Sequence, residues 1–267
     1  MSAPRYHDVT VESADGTSLL VQVSGQGGIP LVIVGGSLST ADDWRAVADE
    51  LGDVATVHVM NRRGRGGSGA GGTHSIEREY EDVAAVRALA GPGAAVFAHS
   101  YGAVVALGQA LIDAPPALAI YEPPLPVDGP VAGERLETYE TAVREGRLDD
   151  ALVFGMVNFV GFPAELIDPM RTVLPWDHLV SLTPTWVPEL HAIDALEPGV
   201  ARFAALDIPV LEVIGELSPP WLVAASEALA QALPRVRVER LAGQGHVANA
   251  AAPVELAALI RDFLEEQ

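Results

Sequence analysis

Ser100 stands in Ala98-His99-Ser100-Tyr101-Gly102, between an apolar run, Ala94 to Ala98, and an Ala/Val-rich run from Gly102 to Asp113. A serine at a strand-to-helix turn, with glycine two places on, describes a nucleophile elbow, a turn so tight that its flanking residues must be small. Ala98 replaces the glycine that the strict pattern puts before the serine, a difference of one methyl group. The same serine could serve only as a helix cap. A hydroxyl attacks when a base takes its proton, so the chemistry requires a histidine within hydrogen-bond reach. Among seven histidines, His246 in Gly243-Gln244-Gly245-His246-Val247 lies between the last strand run and the last helical run. That is the carboxyl edge of a parallel sheet, where the elbow also opens. His99 is expected to point away from the serine beside it. His178 and His191 are candidate substrate contacts, and His7, His58 and His74 carry no expected role. No pair of histidines has metal-ligand spacing, so no metal and no cofactor are expected.

The elements that must position these groups are legible as runs. Alternation at Val9, Val11 and then Leu19, Val21, Val23 predicts a hairpin turning at Asp15-Gly16. Continuous β-branched runs follow at Leu31–Val34, Val54–Met60, Ala94–Ala98, Ala117–Tyr121, Val210–Ile214 and Val236–Leu241. Such runs indicate strands buried on both faces, as in a parallel sheet. Helical stretches separate them at Ala41–Leu51, Ser75–Ala90, Tyr101–Asp113, Pro219–Leu233 and Asn249–Glu265. The expected fold is therefore α/β, a doubly wound, mostly parallel, eight-stranded sheet. Residues 1–125 and 199–267 would form its core. Residues 126–198 break the pattern and read as an inserted α-helical lid of short helices, interrupted by Gly146, Gly155, Gly161, Pro163, Pro169, Pro175, Pro184 and Pro188.

Bulk composition narrows the partners. The 267 residues are 49% hydrophobic and 19% charged, enough apolar material for one large domain. With 36 acidic against 16 basic residues the net charge is −20, which disfavours nucleic acid and anionic membrane surfaces. Cysteine is absent, which excludes disulfides and thiolate nucleophiles and fits a reducing, cytoplasmic location. Met1 to Asp8 hold no apolar segment, so no signal peptide is expected. Gly93 to Ile112 is a twenty-residue stretch without Asp, Glu, Lys or Arg, but the elbow divides it into a buried strand and a buried helix. A small molecule is the expected partner, with the chain a monomer or homodimer.

Over essentially its whole length the chain resembles the α/β-hydrolase superfamily. Gly35-Gly36-Ser37, with Trp44 beyond it, resembles the family's His-Gly-X oxyanion loop, with Gly35 in the histidine position. Asn61-Arg62-Arg63-Gly64-Arg65-Gly66-Gly67-Ser68-Gly69 resembles its Asp-Arg-X-Gly-X-Gly-X-Ser loop. The elbow and the His246 loop follow in order. Gly64 to Gly69 also spells a dinucleotide-binding fingerprint, but the next helix begins too late for that use. The resemblance implies Ser100 as nucleophile and His246 as base, with the Ser37 and Tyr101 N–H groups as oxyanion donors. Gly36, Leu38 and Val247, with Phe154, Phe159, Trp176 and Trp186 of the insertion, are the candidate substrate contacts.

The acid departs from the family pattern. After the seventh strand, Gly215-Glu216-Leu217-Ser218 has serine where the family usually has aspartate. Glu122, ending the sixth strand in Tyr121-Glu122-Pro123-Pro124, stands where some haloalkane dehalogenases and zearalenone-type lactonases of the superfamily carry their acid. Glu122 is the expected third member; Glu216 or a water-filled site is the alternative. A serine nucleophile disfavours epoxide-hydrolase and dehalogenase chemistry and leaves acyl transfer to water. The expected substrate is a small, mainly apolar ester or lactone, with a carbon–carbon-cleavable diketone as an alternative. A long anionic substrate is disfavoured, since no lysine occurs and only Arg135, Arg144, Arg147 and Arg171 are basic in the insertion. A non-hydrolytic lyase or cyclase, or a ligand-binding receptor on the same scaffold, remains the reading from a different class.

Overall fold

The β-branched runs form one eight-stranded sheet ordered β1-β2-β4-β3-β5-β6-β7-β8. The computed structural model describes residues 5–267, so Met1 to Pro4 of the segment read for a signal peptide lie outside the described residues. The strands are β1 (Tyr6–Glu12), β2 (Ser18–Ser24), β3 (Ile29–Val34), β4 (Ala55–Met60), β5 (Ala95–His99), β6 (Leu118–Tyr121), β7 (Val210–Gly215) and β8 (Val236–Leu241). β2 pairs antiparallel with β1 and β4, and every other pairing is parallel. The hairpin turns through Gly16 at φ +80°, where a glycine carries no steric cost. The interior strands β5 and β7 are buried at every position, whereas the edge strands β1 and β8 alternate, as their places in the sheet require.

Helices cover both faces. Val83 and Val86 of α2 (Ile76–Ala90), Val104 and Leu107 of α3 (Tyr101–Ile112), and Leu229 of α8 (Pro220–Ala232) pack on one face. A 3₁₀ turn (Ala41–Trp44), α1 (Arg45–Leu51), α9 (Ala248–Ala251) and α10 (Pro253–Glu265) cover the other, around Trp44, Leu51, Leu256 and Phe263. The helix expected over Asn249–Glu265 is two pieces, because Pro253 starts a new helix instead of continuing the old one. Gly93 to Ile112 divides into β5 and α3, and among the described residues no helix is long and apolar enough to cross a membrane.

Between β6 and β7 lie α4 (Arg135–Arg144), α5 (Leu148–Gly155), a π-helical turn (Met156–Val160), α6 (Ile167–Val173) and α7 (Trp176–Asp194). They hold two small apolar clusters of their own, both touching Leu38 of the core. Pro184 and Pro188 do not break this segment as expected; both lie inside the 19-residue α7. Pro184 leaves the Val180 carbonyl without its helical donor, and the Thr183 hydroxyl supplies one at 2.8 Å. Gly155 is also not a breaker. A Cβ there would lie 2.5 Å from the Trp186 ring, so its role is to let α5 approach α7.

Candidate active site

Three non-glycine residues have positive φ among the described residues, and all three border one site: Ser100 (+53°), Glu122 (+49°) and Leu38 (+55°). Backbone held in this region costs on the order of 1–3 kcal/mol per residue and persists only where the surroundings enforce it. At Ser100 the enforcement is the elbow. β5 ends at His99, the Ser100 N–H donates to the Tyr121 carbonyl at 2.9 Å, and α3 starts at Tyr101. Gly102 is obligatory, since a Cβ there would lie 2.4 Å from the Val34 carbonyl oxygen and 2.5 Å from that of Gly35.

The Ser100 hydroxyl oxygen lies 3.0 Å from His246 Nε2, and His246 Nδ1 lies 2.7 Å from Glu122 Oε2. Glu122 is fully buried, and its other carboxyl oxygen accepts the Gly215 N–H at 2.7 Å. The end of β7 thus contributes a backbone donor to a carboxylate carried by β6, its parallel neighbour. The alternative acid, Glu216, turns to the exterior and accepts the Gly243 N–H at 3.0 Å. Ser218 is buried without a hydrogen-bond partner for its hydroxyl.

The histidine loop is anchored by the strands beside the elbow. Tyr121 donates to the Gly245 carbonyl, and His99 Nε2 donates to the His246 carbonyl at 2.9 Å. His99 therefore does not point away from the site; its ring packs on that of His246 at 4.6 Å between centroids. Burial, then the neighbouring His246, pushes its pKa well below the ordinary imidazole value, so it stays neutral. The ring keeps the strand's alternation: like Phe97 two residues earlier it packs on Trp44, and that is the face where the His246 loop lies.

The Ser37 and Tyr101 N–H groups donate to no acceptor among the described residues. Ser37 follows Gly36 and Tyr101 follows Ser100, and a Cβ at Gly36 would lie 2.8 Å from Ser100 Cβ. The cleft above them is a cavity of about 180 Å³, walled by Leu38, Met156, Phe159, Trp186, Leu190 and Val247 among others. Phe159 and Trp186 make edge-on contacts with each other and with Tyr139, so they serve the insertion's core and the cavity wall together. Phe154 packs behind Phe159, and Trp176 donates to Asp149 at 2.7 Å; neither lines the cavity. Asp43, which accepts the Thr40 N–H at 2.7 Å, is the one acidic residue of the lining, with His178 at 3.9 Å, while His191 pairs with Glu140 on the exterior. Asn61 accepts the Ala41 N–H at 2.8 Å and Ser68 the Leu20 N–H at 2.8 Å, so the glycine-rich loop ties elements together.

A second carboxyl group lies nearby. Glu212 of β7 is fully buried beside the Ser226 hydroxyl, without a hydrogen bond of ordinary geometry to either of its oxygens. Burial is the largest influence and raises its pKa well above the ordinary 4.5, with the Ser226 hydroxyl opposing and the Glu122 charge adding, so folding favours the protonated form. Unfolding above that ordinary value releases the proton, so this contribution to stability is full at low pH and is lost as pH rises through the raised value. Glu212→Gln removes the dependence. Its melting temperature relative to wild type should increase as pH rises above the ordinary carboxyl range, and a constant difference would contradict this assignment.

Comparison with known proteins adds the family. The Alpha/beta hydrolase family model matches residues 31–259. An alpha/beta hydrolase from Sphaerobacter thermophilus DSM 20745 is 36% identical, with a TM-score of 0.86 over 96% of this chain and 99% of that one. The esterase RhEst1 from Rhodococcus sp. ECU1013 is 22% identical (TM-score 0.73; 97% and 98% of the two chains). The enol-lactonase from Burkholderia xenovorans LB400 is 20% identical (TM-score 0.77; 96% and 100%). These two share the fold. Among curated protein sequences none matches significantly. On its sequence match, its sheet and its elbow, the chain belongs to the alpha/beta hydrolase family.

Proposed function

We propose that the protein is a serine hydrolase that cleaves a small, mainly apolar, uncharged ester or lactone through an acyl-enzyme. The observation that carries this reading is the continuous hydrogen-bonded line from Ser100 through His246 to Glu122. With Glu122 Oε2 accepting from Nδ1–H, His246 Nε2 is free to take the Ser100 proton as the hydroxyl oxygen attacks the carbonyl carbon. The resulting oxyanion is met by the Ser37 and Tyr101 N–H groups. His246 then gives the proton to the leaving oxygen, and a water molecule attacks the acyl-enzyme by the same route in reverse.

The cavity supports the substrate class. Its lining is mostly aliphatic and aromatic, with no arginine and with Asp43 as its one acidic residue. An acyl chain ending in a carboxylate would lose hydration there without a cation to replace it. The test is a panel of p-nitrophenyl esters and lactones of graded bulk, with a fluorophosphonate as covalent probe. Turnover of neutral short and medium acyl groups is expected, with little activity on carboxylate-terminated chains of equal length. One label per chain should be lost in Ser100→Ala. Labelling that persists in Ser100→Ala, or a wild type inert to probe and panel alike, would overturn the reading.

A further inference from the structure

Behind the oxyanion loop lies a buried ionic lattice that the reaction steps above do not use. Arg62 is 2% exposed, and its Nε donates to the Gly35 carbonyl at 3.0 Å and its Nη2 to the Gly36 carbonyl at 2.8 Å. The Gly36–Ser37 peptide is trans, so its carbonyl and its N–H point to opposite sides. Holding the Gly36 oxygen on the guanidinium therefore holds the Ser37 N–H on the other side, where Gly36 abuts Ser100. The same guanidinium carbon sits 4.8 Å from the centroid of the Tyr101 ring, on the residue that carries the second donor.

Arg62 is itself set by two carboxylates from distant segments. Its Nη1 donates to Glu79 of α2 and its Nη2 to Glu189 of α7, each at 2.7 Å, and both acids are 1% exposed. Glu189 also accepts from Arg65, and His74 Nε2 lies 2.8 Å from Glu79. Burial by itself would favour loss of the Arg62 proton; the Glu189 and Glu79 charges outweigh it and keep the group cationic. A buried ionic cluster is rarely more stabilising than well-packed apolar residues of similar volume, so stability alone is a weak reason for this one. What it supplies is direction, because the planar fork aims several donors at once and an ammonium group does not.

We infer that Arg62 is a positioning residue that orients the oxyanion donors, and that Glu189 sets Arg62 from the inserted helix α7. The placement of the lid is thereby transmitted to the site of charge development. The inference rests on the acyl-transfer reading.

Arg62→Lys and Glu189→Gln test it. The measurements are kcat and KM on a neutral p-nitrophenyl ester, the inhibition constant of an alkyl boronic acid, which forms a tetrahedral adduct on serine, and that of a planar, uncharged amide of the same alkyl chain. Loss of one oxyanion donor costs on the order of 10²–10³ in kcat, and misorientation of one should cost about tenfold to a hundredfold. The expected result is that kcat and boronate affinity fall together, while KM and amide affinity hold. If folded variants keep wild-type kcat and boronate affinity, or lose amide affinity to the same extent as boronate affinity, the inference is wrong. Circular dichroism reports the folded state; if Arg62→Lys does not fold, Glu189→Gln alone decides. A wild type inert to esters and fluorophosphonate overturns the acyl-transfer reading and this inference with it. An active wild type with unaffected variants overturns this inference alone.

Discussion

Glu122→Gln should lower kcat by on the order of 10⁴ with little change in KM, the loss expected when a serine triad's orienting carboxylate becomes an amide. The argument is one of donors and acceptors. Glutamine can keep its carbonyl oxygen on the Gly215 N–H, as Glu122 Oε1 does now at 2.7 Å. Its amide NH₂ then faces His246 Nδ1, which must become an acceptor. The ring proton moves to Nε2 and points at Ser100, so the nitrogen that should take the serine proton already carries one. The side chain is nearly isosteric and the surrounding backbone is unchanged, so the melting temperature should move little. Turnover close to wild type would remove Glu122 from the triad and return attention to Glu216.

The second large effect concerns stability. Arg63→Met should cost ~3–5 kcal/mol, the usual penalty for stranding one partner of a buried ion pair. Arg63 Nε and Nη2 form a two-pronged contact with Asp82 of α2, both at 2.7 Å, and Asp82 is fully buried. Removing the guanidinium leaves that carboxylate without its cation in the interior. For a domain of this size the melting temperature should fall by about 10 °C, from roughly 2–4 °C per kcal/mol. Arg63 does not line the cavity, so kinetics measured well below the transition should stay near wild type. Adding Asp82→Leu to Arg63→Met should recover much of the loss, since removing both charges leaves nothing unpaired. A single variant as stable as wild type would show that water reaches Asp82.

The neighbouring arginines of Asn61-Arg62-Arg63-Gly64-Arg65 show how far local sequence carries. Their loop is recognisable from the glycines and serine around them, and it lies where the resemblance puts it. The family pattern puts its arginine at Arg62 and leaves Arg63 at a variable place, but nothing in that stretch tells where either guanidinium goes. One turns toward the carbonyls of the oxyanion loop and the other toward Asp82, because successive side chains leaving β4 diverge and meet different segments. Glu79 and Glu189 read as ordinary helix carboxylates for the same reason: their partners lie 17 and 127 positions away along the chain.

The sequence by itself determined what short-range chemistry can determine. β-branched runs without polar alternation define buried parallel strands. Small residues around Ser100 define the elbow, and a histidine after the last strand lies at the same sheet edge. A serine at the usual acid position drew attention to Glu122. These are properties of residue type and near neighbours, and they survive any arrangement of the rest.

Only the tertiary structure decided direction. Glu122 reaches His246 because its backbone is held at positive φ between Tyr121 and the Gly215 N–H. His99 turns onto the His246 loop, and Pro184 stays inside α7 because a threonine hydroxyl replaces its missing donor. Phe159 and Trp186 wall the cavity while Phe154 and Trp176 do not, although all four are large apolar side chains of the insertion. The reason is common to all of these. A hydrogen bond or a packed ring is settled within about 3–4 Å, and which groups come that close is set by segments far apart in the chain.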